Sequence, residues 1–467
     1  MKGSGFPVTR LFILVVVALV LLGAVAFFAV QRLEGTGPEV SLKTPPRFLG
    51  ANTKFAGTVS DRKNGLRSLR ISILDNQGKE TVLLDESYPS PGFLARGNLK
   101  EKDFDVAVEP RKIGLTDGKA MLRIHSTDYS LRDWGKGNAT YLEIPLAVDT
   151  KPPVVSVLTQ AHNVIQGGAG LVIYRVSEKT PRSGVRVGDH FYAGAPGPFS
   201  DELVYMSLFA FPYDQPLDTR MTVEAEDEAG NRGNASFYQH VKPKRFRSDS
   251  MNLSDRFLEE ILPRFEPITT KDGSDTMIAK YLAINRDLRK QNEDLLMSLY
   301  RKSEPRMKWE GVFDRLRNGA PMAQFADHRS YVYEGQVVDE QTHKGFDLAS
   351  LASSPVPAAN SGTVVYADTL GIYGLTVAID HGYGLLSHYS HLSRIDVNVG
   401  QEVKKGDVVG LTGSTGLAGG DHLHYGILVD DTFVNPIEWW DPHWIKDNVM
   451  DKISSVKQSL GQAVERQ

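Results

Sequence analysis

His422 and His424 stand two residues apart at the end of the glycine-rich stretch Gly413-Ser-Thr-Gly-Leu-Ala-Gly-Gly-Asp-His-Leu-His-Tyr425. On a β-strand that spacing turns both imidazoles to one face, where a single metal ion could meet both. Seven of the twelve histidines fall between residues 343 and 443, so this pair is not isolated. His343-Lys-Gly-Phe-Asp347 offers an imidazole and a carboxylate four residues apart, with a glycine between them that permits close backbone approach. With one histidine of the later pair, these groups supply three N/O ligands. Three protein ligands plus water is the usual make-up of a catalytic zinc site. Neutral imidazoles are good zinc donors, and a carboxylate offsets part of the ion's charge.

A further element is Ile379-Asp-His-Gly-Tyr-Gly384 followed by Ser387-His-Tyr-Ser-His-Leu392. Strand alternation places Tyr389 and His391 on one face and His388 on the other. His391 is therefore the candidate from this segment. His388 is expected to be exposed, and His381 to support a turn.

The ordered motifs His343-x-x-x-Asp347, His391-Leu392 and Gly420-Asp-His-Leu-His424 resemble those of the LytM/lysostaphin family of zinc metallopeptidases, which cut peptidoglycan cross-links. The resemblance covers about 320–437, under a third of the chain. It implies one Zn2+ per peptidase domain, held by His343, Asp347 and His424. It also implies that His391 and His422 assist catalysis on peptidoglycan peptide stems. Some members of the family have lost ligands and act only as activators of other wall hydrolases; all five polar positions are present here.

The elements that must position these residues are mainly β. Thr363-Val-Val-Tyr366, Leu375-Thr-Val-Ala-Ile379 and Asp407-Val-Val-Gly-Leu411 are separated by glycine-containing turns, which predicts a compact antiparallel peptidase domain over 313–445. Trp439, Trp440 and Trp444 are expected to pack as its closing segment, with 446–467 as a polar tail. Before it, 250–305 reads as a helical linker. Ser254 caps a short helix that ends before Pro263, and a longer helix runs from about Ser274 to Arg301. Ile278, Leu282, Leu288, Leu295 and Leu299 give that helix an apolar stripe, interrupted by Asn285. It is expected to pack against a neighbouring domain, with a cover over the active site as the alternative.

Further upstream, β-branched and polar residues alternate, as in Leu69-Arg-Ile-Ser-Ile73 and Met221-Thr-Val-Glu-Ala225. Val59-Ser-Asp61 before Gly65-Leu66 is echoed by Val176-Ser-Glu178 before Gly184-Val185, and Leu122–Asp128 by Val223–Asp227. Two β domains, 38–150 and 151–242, follow from this. They resemble bacterial immunoglobulin-like sandwiches, which serve as spacers or partner-binding modules. His125, His162, His190 and His240 are scattered there and are read as structural.

Leu11 to Val30 is a run of twenty apolar or small residues, about the length that crosses a ~30 Å hydrocarbon core. Lys2 and Arg10 favour a cytoplasmic segment 1–10, a single-pass span over 11–30, and everything after Arg32 outside. Ala24-Val25-Ala26 resembles a signal cleavage site, but the apolar run outlasts a signal core and an uncleaved anchor is expected. Gly35-Thr-Gly-Pro-Glu39 reads as a membrane-proximal linker. A chain of 467 residues holds about three domains. The balance of 53 basic against 57 acidic residues gives no field for nucleic acid. Cysteine is absent, which removes disulfides, thiolate nucleophiles and Cys-ligated metal.

These readings converge on a zinc metalloendopeptidase anchored in a bacterial cytoplasmic (inner) membrane, with its bulk in the periplasm or outside the cell. The alternative from another class is a catalytically silent or autoinhibited scaffold that binds wall peptides or a regulatory protein partner. A secreted protease of ordinary proteins is the third reading.

Overall fold

The computed structural model describes residues 8–461 apart from 90, 91, 93, 94, 266 and 272. The chain is mainly β and divides into two compact units, Met1–Pro152 with Glu226–Asn231 and Pro153–Ala225 with Arg232–Gln467.

The first unit begins with the helix Val8–Arg32, whose large apolar side chains from Leu11 to Val30 remain exposed. Among the described residues it is the one helix long and apolar enough to cross a membrane. Two sheets follow. Glu39–Leu42, Thr53–Ser60 and Glu101–Val108 form one; Phe48–Leu49, Ala139–Val148, Gly118–Asp128, Leu66–Asp75 and Glu80–Ser87 form the other, in that spatial order. Period-two alternation sends Phe55 and Val59, Phe104 and Val106, Ile71 and Ile73, and Leu122 and Ile124 into a shared core. Gly35–Glu39 is not the free linker that its composition predicted. The carbonyls of Glu34 and Thr36 accept bonds from Asn138 Nδ2 at 3.0 and 3.2 Å, and Glu39 already starts a strand. Short polar segments dock when a half-buried amide offers them donors.

In the second unit the β region after Pro153 and the C-terminal region share one core, in which Ile173, Phe209 and Val223 lie with Tyr389, Tyr425 and Trp439. Polar contacts sew the same boundary: Tyr192 Oη to Thr432 Oγ1 at 2.9 Å, and Ala169 N to Glu438 Oε2 at 2.8 Å. The C-terminal sheet is antiparallel and runs Ala320–Pro321, Phe346–Ala349, Leu423–Val429, Leu385–Leu392, Leu375–Gly382, Gly362–Thr369, Glu402–Val403, with Thr432–Val434 also on Leu423–Val429. Trp439 packs edge-on against Trp309 and Phe313 and closes the core below this sheet.

The helical segment matches its sequence signal at the first cap, Ser254, and begins its second helix after Thr276. Ser254 Oγ accepts Phe257 N ahead of Asp255–Ile261, and Thr276 Oγ1 accepts Ala279 N ahead of a continuous helical run, Met277 to Lys302. A wider π-type turn at Ala283–Leu288 turns Asn285 inward, where its Nδ2 donates to Asp339 Oδ2 at 2.7 Å. The break in the apolar stripe is thus a buried, satisfied amide.

Candidate active site

Asp347 and His424 are Cα partners on the adjacent strands Phe346–Ala349 and Leu423–Val429, so their side chains rise from one face side by side. His343 follows the strand Gln336–Thr342 and bends back over them. His343 Nε2 lies 3.0 Å from Asp347 Oδ1 and 3.0 Å from His424 Nδ1, and His424 Nδ1 lies 2.8 Å from Asp347 Oδ1. His422, two residues before His424, shares its face and brings Nε2 to 3.7 Å from Asp347 Oδ1. The structure thus gathers His343, Asp347, His422 and His424.

His391 reaches the site by a different route. Thr376 faces two residues of the neighbouring strand, Ser390 and His391, because the register passes from Val377↔Tyr389 to Leu375↔Leu392. This bulge ends with His391 in the left-handed region at φ 61°. The turn swings its ring onto the site face, 4.8 Å from the His422 ring and 5.7 Å from that of His424. His391 therefore does not share a face with Tyr389. His388, expected to be exposed, is fully buried on the site face with its ring 5.4 Å from that of His424, while Tyr389 points into the opposite core against Tyr425. Both faces of this sheet are covered, so alternation separates two buried faces and not a wet one from a dry one. His381 lies within the strand Leu375–Gly382 and not in a turn; its Nδ1 donates to Ser361 O at 2.7 Å and its Nε2 bonds Ser387 Oγ at 2.8 Å.

The hydrogens of the site are fixed by carbonyls outside it. His343 Nδ1 donates to Gln324 O at 2.9 Å, His391 Nδ1 to Thr415 O at 2.8 Å and His422 Nδ1 to Gly420 O at 2.9 Å. Each neutral ring therefore keeps its Nε2 as the lone-pair nitrogen. His343 Nε2 and Asp347 Oδ1 are then two acceptors facing each other at 3.0 Å, and a cation held between them and His424 Nδ1 relieves that opposition. Two imidazoles and one carboxylate are a zinc-type donor set. The residues present fit the ion.

Burial opposes ionisation of Asp347, yet His343 and His424 hold its carboxyl well below the usual range. Burial also lowers His424, to about 4, against the pull of Asp347. His391 is pushed well below the usual histidine range by burial and then by His422 and His424. Gly345 leaves room for this packing, since a Cβ there would come within 2.4 Å of His424 Nε2.

Several participants carry no motif. Arg329, fourteen residues before His343, donates from Nη2 to Asp347 Oδ2 at 3.2 Å and neutralises the oxygen turned away from the histidines. Tyr373 packs tilted on His424 and edge-on to His388. The helical segment forms one wall of a cavity of about 540 Å³ in which Tyr281 and Arg289 line the same space as His343, Asp347, His391, His422 and His424. Glu293 pairs with Lys344 at 2.7 Å, Asn292 Oδ1 accepts Ile372 N at 2.9 Å, and Arg264 donates to the carbonyls of Ser414, Gly416 and Ala418 in the loop ahead of His422. Sequence pattern gave a helix with a charged face; these pairings lie 51 to 154 residues away along the chain.

Residues 341–436 match the family model described as Peptidase family M23. The same region is similar to peptidoglycan DD-endopeptidase ShyA of Vibrio cholerae serotype O1, 38% identical over 96 residues, which cover 21% of this chain and 22% of that protein. It is also similar to murein hydrolase activator EnvC of Escherichia coli strain K12, 35% identical over 107 residues, covering 23% of this chain and 26% of that protein. Among solved structures, the catalytic domain of lysostaphin from Staphylococcus simulans aligns at 27% identity over 28% of this chain and 98% of that domain, with a TM-score of 0.24. The matched part spans about a quarter of the length of the curated relatives.

Proposed function

Because its C-terminal region is a domain of peptidase family M23, we propose that this chain is a membrane-anchored zinc metalloendopeptidase. Its substrate in this reading is the peptide cross-link of peptidoglycan, and its place is the outer face of a bacterial cytoplasmic membrane. The observation that carries the proposal is the convergence of His343 Nε2, Asp347 Oδ1 and His424 Nδ1 within 2.8–3.0 Å of one another, beside two more imidazoles. The similarity to a protein named as a peptidoglycan DD-endopeptidase supports the substrate class.

In this reading His343, Asp347 and His424 hold one Zn2+. When bound, the ion supplies Lewis acidity that polarises the scissile carbonyl and acidifies water to a pKa of ~7. Arg329 offsets the charge on Asp347 and fixes its rotamer. His391 and His422 act at Nε2, because each Nδ1–H is committed to a backbone carbonyl. One takes the proton from the attacking water, and a proton is delivered to the leaving amine from the same pair. The cavity wall formed by Tyr281 and Arg289 guides the peptide to these atoms. The β regions upstream, 38–150 and 151–242, act as support and spacing for the peptidase domain.

A second reading, an activator of a separate wall hydrolase, is favoured by the similarity to a murein hydrolase activator. The presence of all five polar groups weighs against it. Digestion of purified cross-linked muropeptides by the full chain, read by mass spectrometry, is expected to give new peptide ends that vanish in His422→Ala. Intact muropeptides with zinc-loaded protein, together with stimulation of an added wall hydrolase, would move the assignment to the activator.

A further inference from the structure

The apolar run Leu11–Val30 has twenty residues, which at 1.5 Å per residue span about 30 Å, the depth of the hydrocarbon core. If the helix crosses a bilayer, as the proposed function holds, Arg32 lies about 3 Å past that core, inside a headgroup layer some 5–8 Å deep. The first β unit is held at that level with no slack. The carbonyl of Arg32 accepts Leu131 N at 2.8 Å and Ser130 Oγ at 3.0 Å. Its guanidinium is turned into the unit, only 2% exposed, and donates to Asn64 Oδ1 at 2.6 Å and Ala95 O at 2.9 Å. Arg96 bonds Gln31 one residue earlier on the helix.

The loop fastened to Arg32 carries an unusual side chain. Trp134 is 98% exposed, and it follows Asp133 in a pair of consecutive left-handed residues, φ 46° and 57°. Side-chain-bearing residues seldom adopt that conformation, and here it presents an indole to the outside with no protein partner among the described residues. Trp134 is three residues from Leu131, so its Cα lies within about 11 Å of the residue bonded to the helix end. Exposed Arg132 and Lys136 flank it in the chain. Asp133 and Lys136 pair at 3.6 Å, and Glu34 and Lys63 at 2.7 Å. Arg96 and Arg132 have no ion pair among the described residues. Tryptophan favours the membrane–water interface, and unpaired basic groups at that depth meet lipid phosphates.

We propose that the Ser130–Gly137 loop is a lipid-docking site, in which Trp134 enters the headgroup layer of the bilayer crossed by Val8–Arg32 while Arg96 and Arg132 bind anionic phospholipid. The inference rests on the membrane-crossing reading of that helix. Docking makes the unit lie on the bilayer and not swing from a tether.

The test uses the full chain in vesicles of phosphatidylcholine and phosphatidylglycerol. Resistance to alkaline extraction is scored first. Tryptophan emission is then measured with lipids brominated near the headgroup and, separately, with aqueous acrylamide, and Trp134→Phe subtracts the other four indoles. The expected result is a blue-shifted component that bromolipid quenches, acrylamide does not reach, and Trp134→Phe loses. With Arg96→Ser and Arg132→Ser together, this component should stop growing as the phosphatidylglycerol fraction rises. An integrated chain whose Trp134 emission is quenched by acrylamide and untouched by bromolipid overturns the proposal. A chain stripped by the alkaline wash takes down the anchor reading, and the docking site with it.

Discussion

Glu34, Asp61 and Asp128 in the first unit gather as do His343, Asp347 and His424 in the second, each set with potential ligand atoms within 4.8 Å of one another. The two clusters differ in where their hydrogens point. Asp61 Oδ1 accepts the backbone N–H groups of Lys63, Asn64 and Gly65 at 2.7–3.0 Å. Asp128 takes Ser130 N, Asn138 N and Asn138 Nδ2, and Glu34 takes Asn64 Nδ2 and Lys63 Nζ. Every carboxylate there is supplied with donors, and the cluster locks turns. In the histidine cluster the N–H groups of His343, His391 and His422 face outward to carbonyls, leaving acceptors turned on one another. Proximity of ligands does not distinguish a metal centre from a turn lock; the direction of the hydrogens does.

The largest effects should come from emptying the acceptor cluster. Replacing His343, Asp347 or His424 by Ala is expected to remove both bound zinc and muropeptide cleavage, measured by metal analysis and mass spectrometry. Next, His391→Ala and His422→Ala should lower turnover by about 10²–10⁴-fold while zinc content stays at one per chain, because general acid–base catalysis has that magnitude. A fall in zinc content in either variant would merge roles kept apart here.

Gly345→Ala tests how tightly the acceptors are packed. Its Cβ would press on His424 Nε2 at 2.4 Å, so zinc affinity should weaken with the fold intact, as read by competition with a chelator. On the donor-filled side, Asp128→Ala should leave zinc content unchanged and destabilise the first unit by about 1–3 kcal/mol, since three donors lose their acceptor; denaturant titration reads this.

Glu438 stands between the two cases: Oε2 accepts Ala169 N at 2.8 Å, whereas Oε1 has no partner. Burial raises its pKa from 4.5 to about 8. The folded state thus keeps a proton that the unfolded chain gives up, and stability is lost as pH climbs from about 4.5 through about 8. Glu438→Gln should flatten the fall of the second unit's Tm across that window.

The sequence carried most of the donor set and little of what orients it. His422 with His424, and His343 with Asp347, are legible as two pairs from local spacing; that the pairs meet is implied only by the family resemblance, since His424 lies 77 residues beyond Asp347. His391 was chosen by an alternation argument that the bulge at Thr376 overturns, since a register slip moves a side chain to the other face without leaving a mark in residue types. His388 was misplaced because alternation tells which residues share a face, not whether that face is wet. Arg329, Glu293 and Arg264 carry no sequence signal, because any exposed cation or carboxylate looks alike in a chain. The mainly β character and the helix cap at Ser254 follow from local chemistry. The core shared by the β region after Pro153 and the C-terminal sheet does not, because a buried strand face does not say what buries it.

Zinc content of the purified full chain, set beside that of His424→Ala and Asp128→Ala, separates a metal centre from a turn lock. One zinc per chain is expected, lost in His424→Ala and retained in Asp128→Ala. Zinc that survives the loss of His424 but leaves with Asp128 would contradict it.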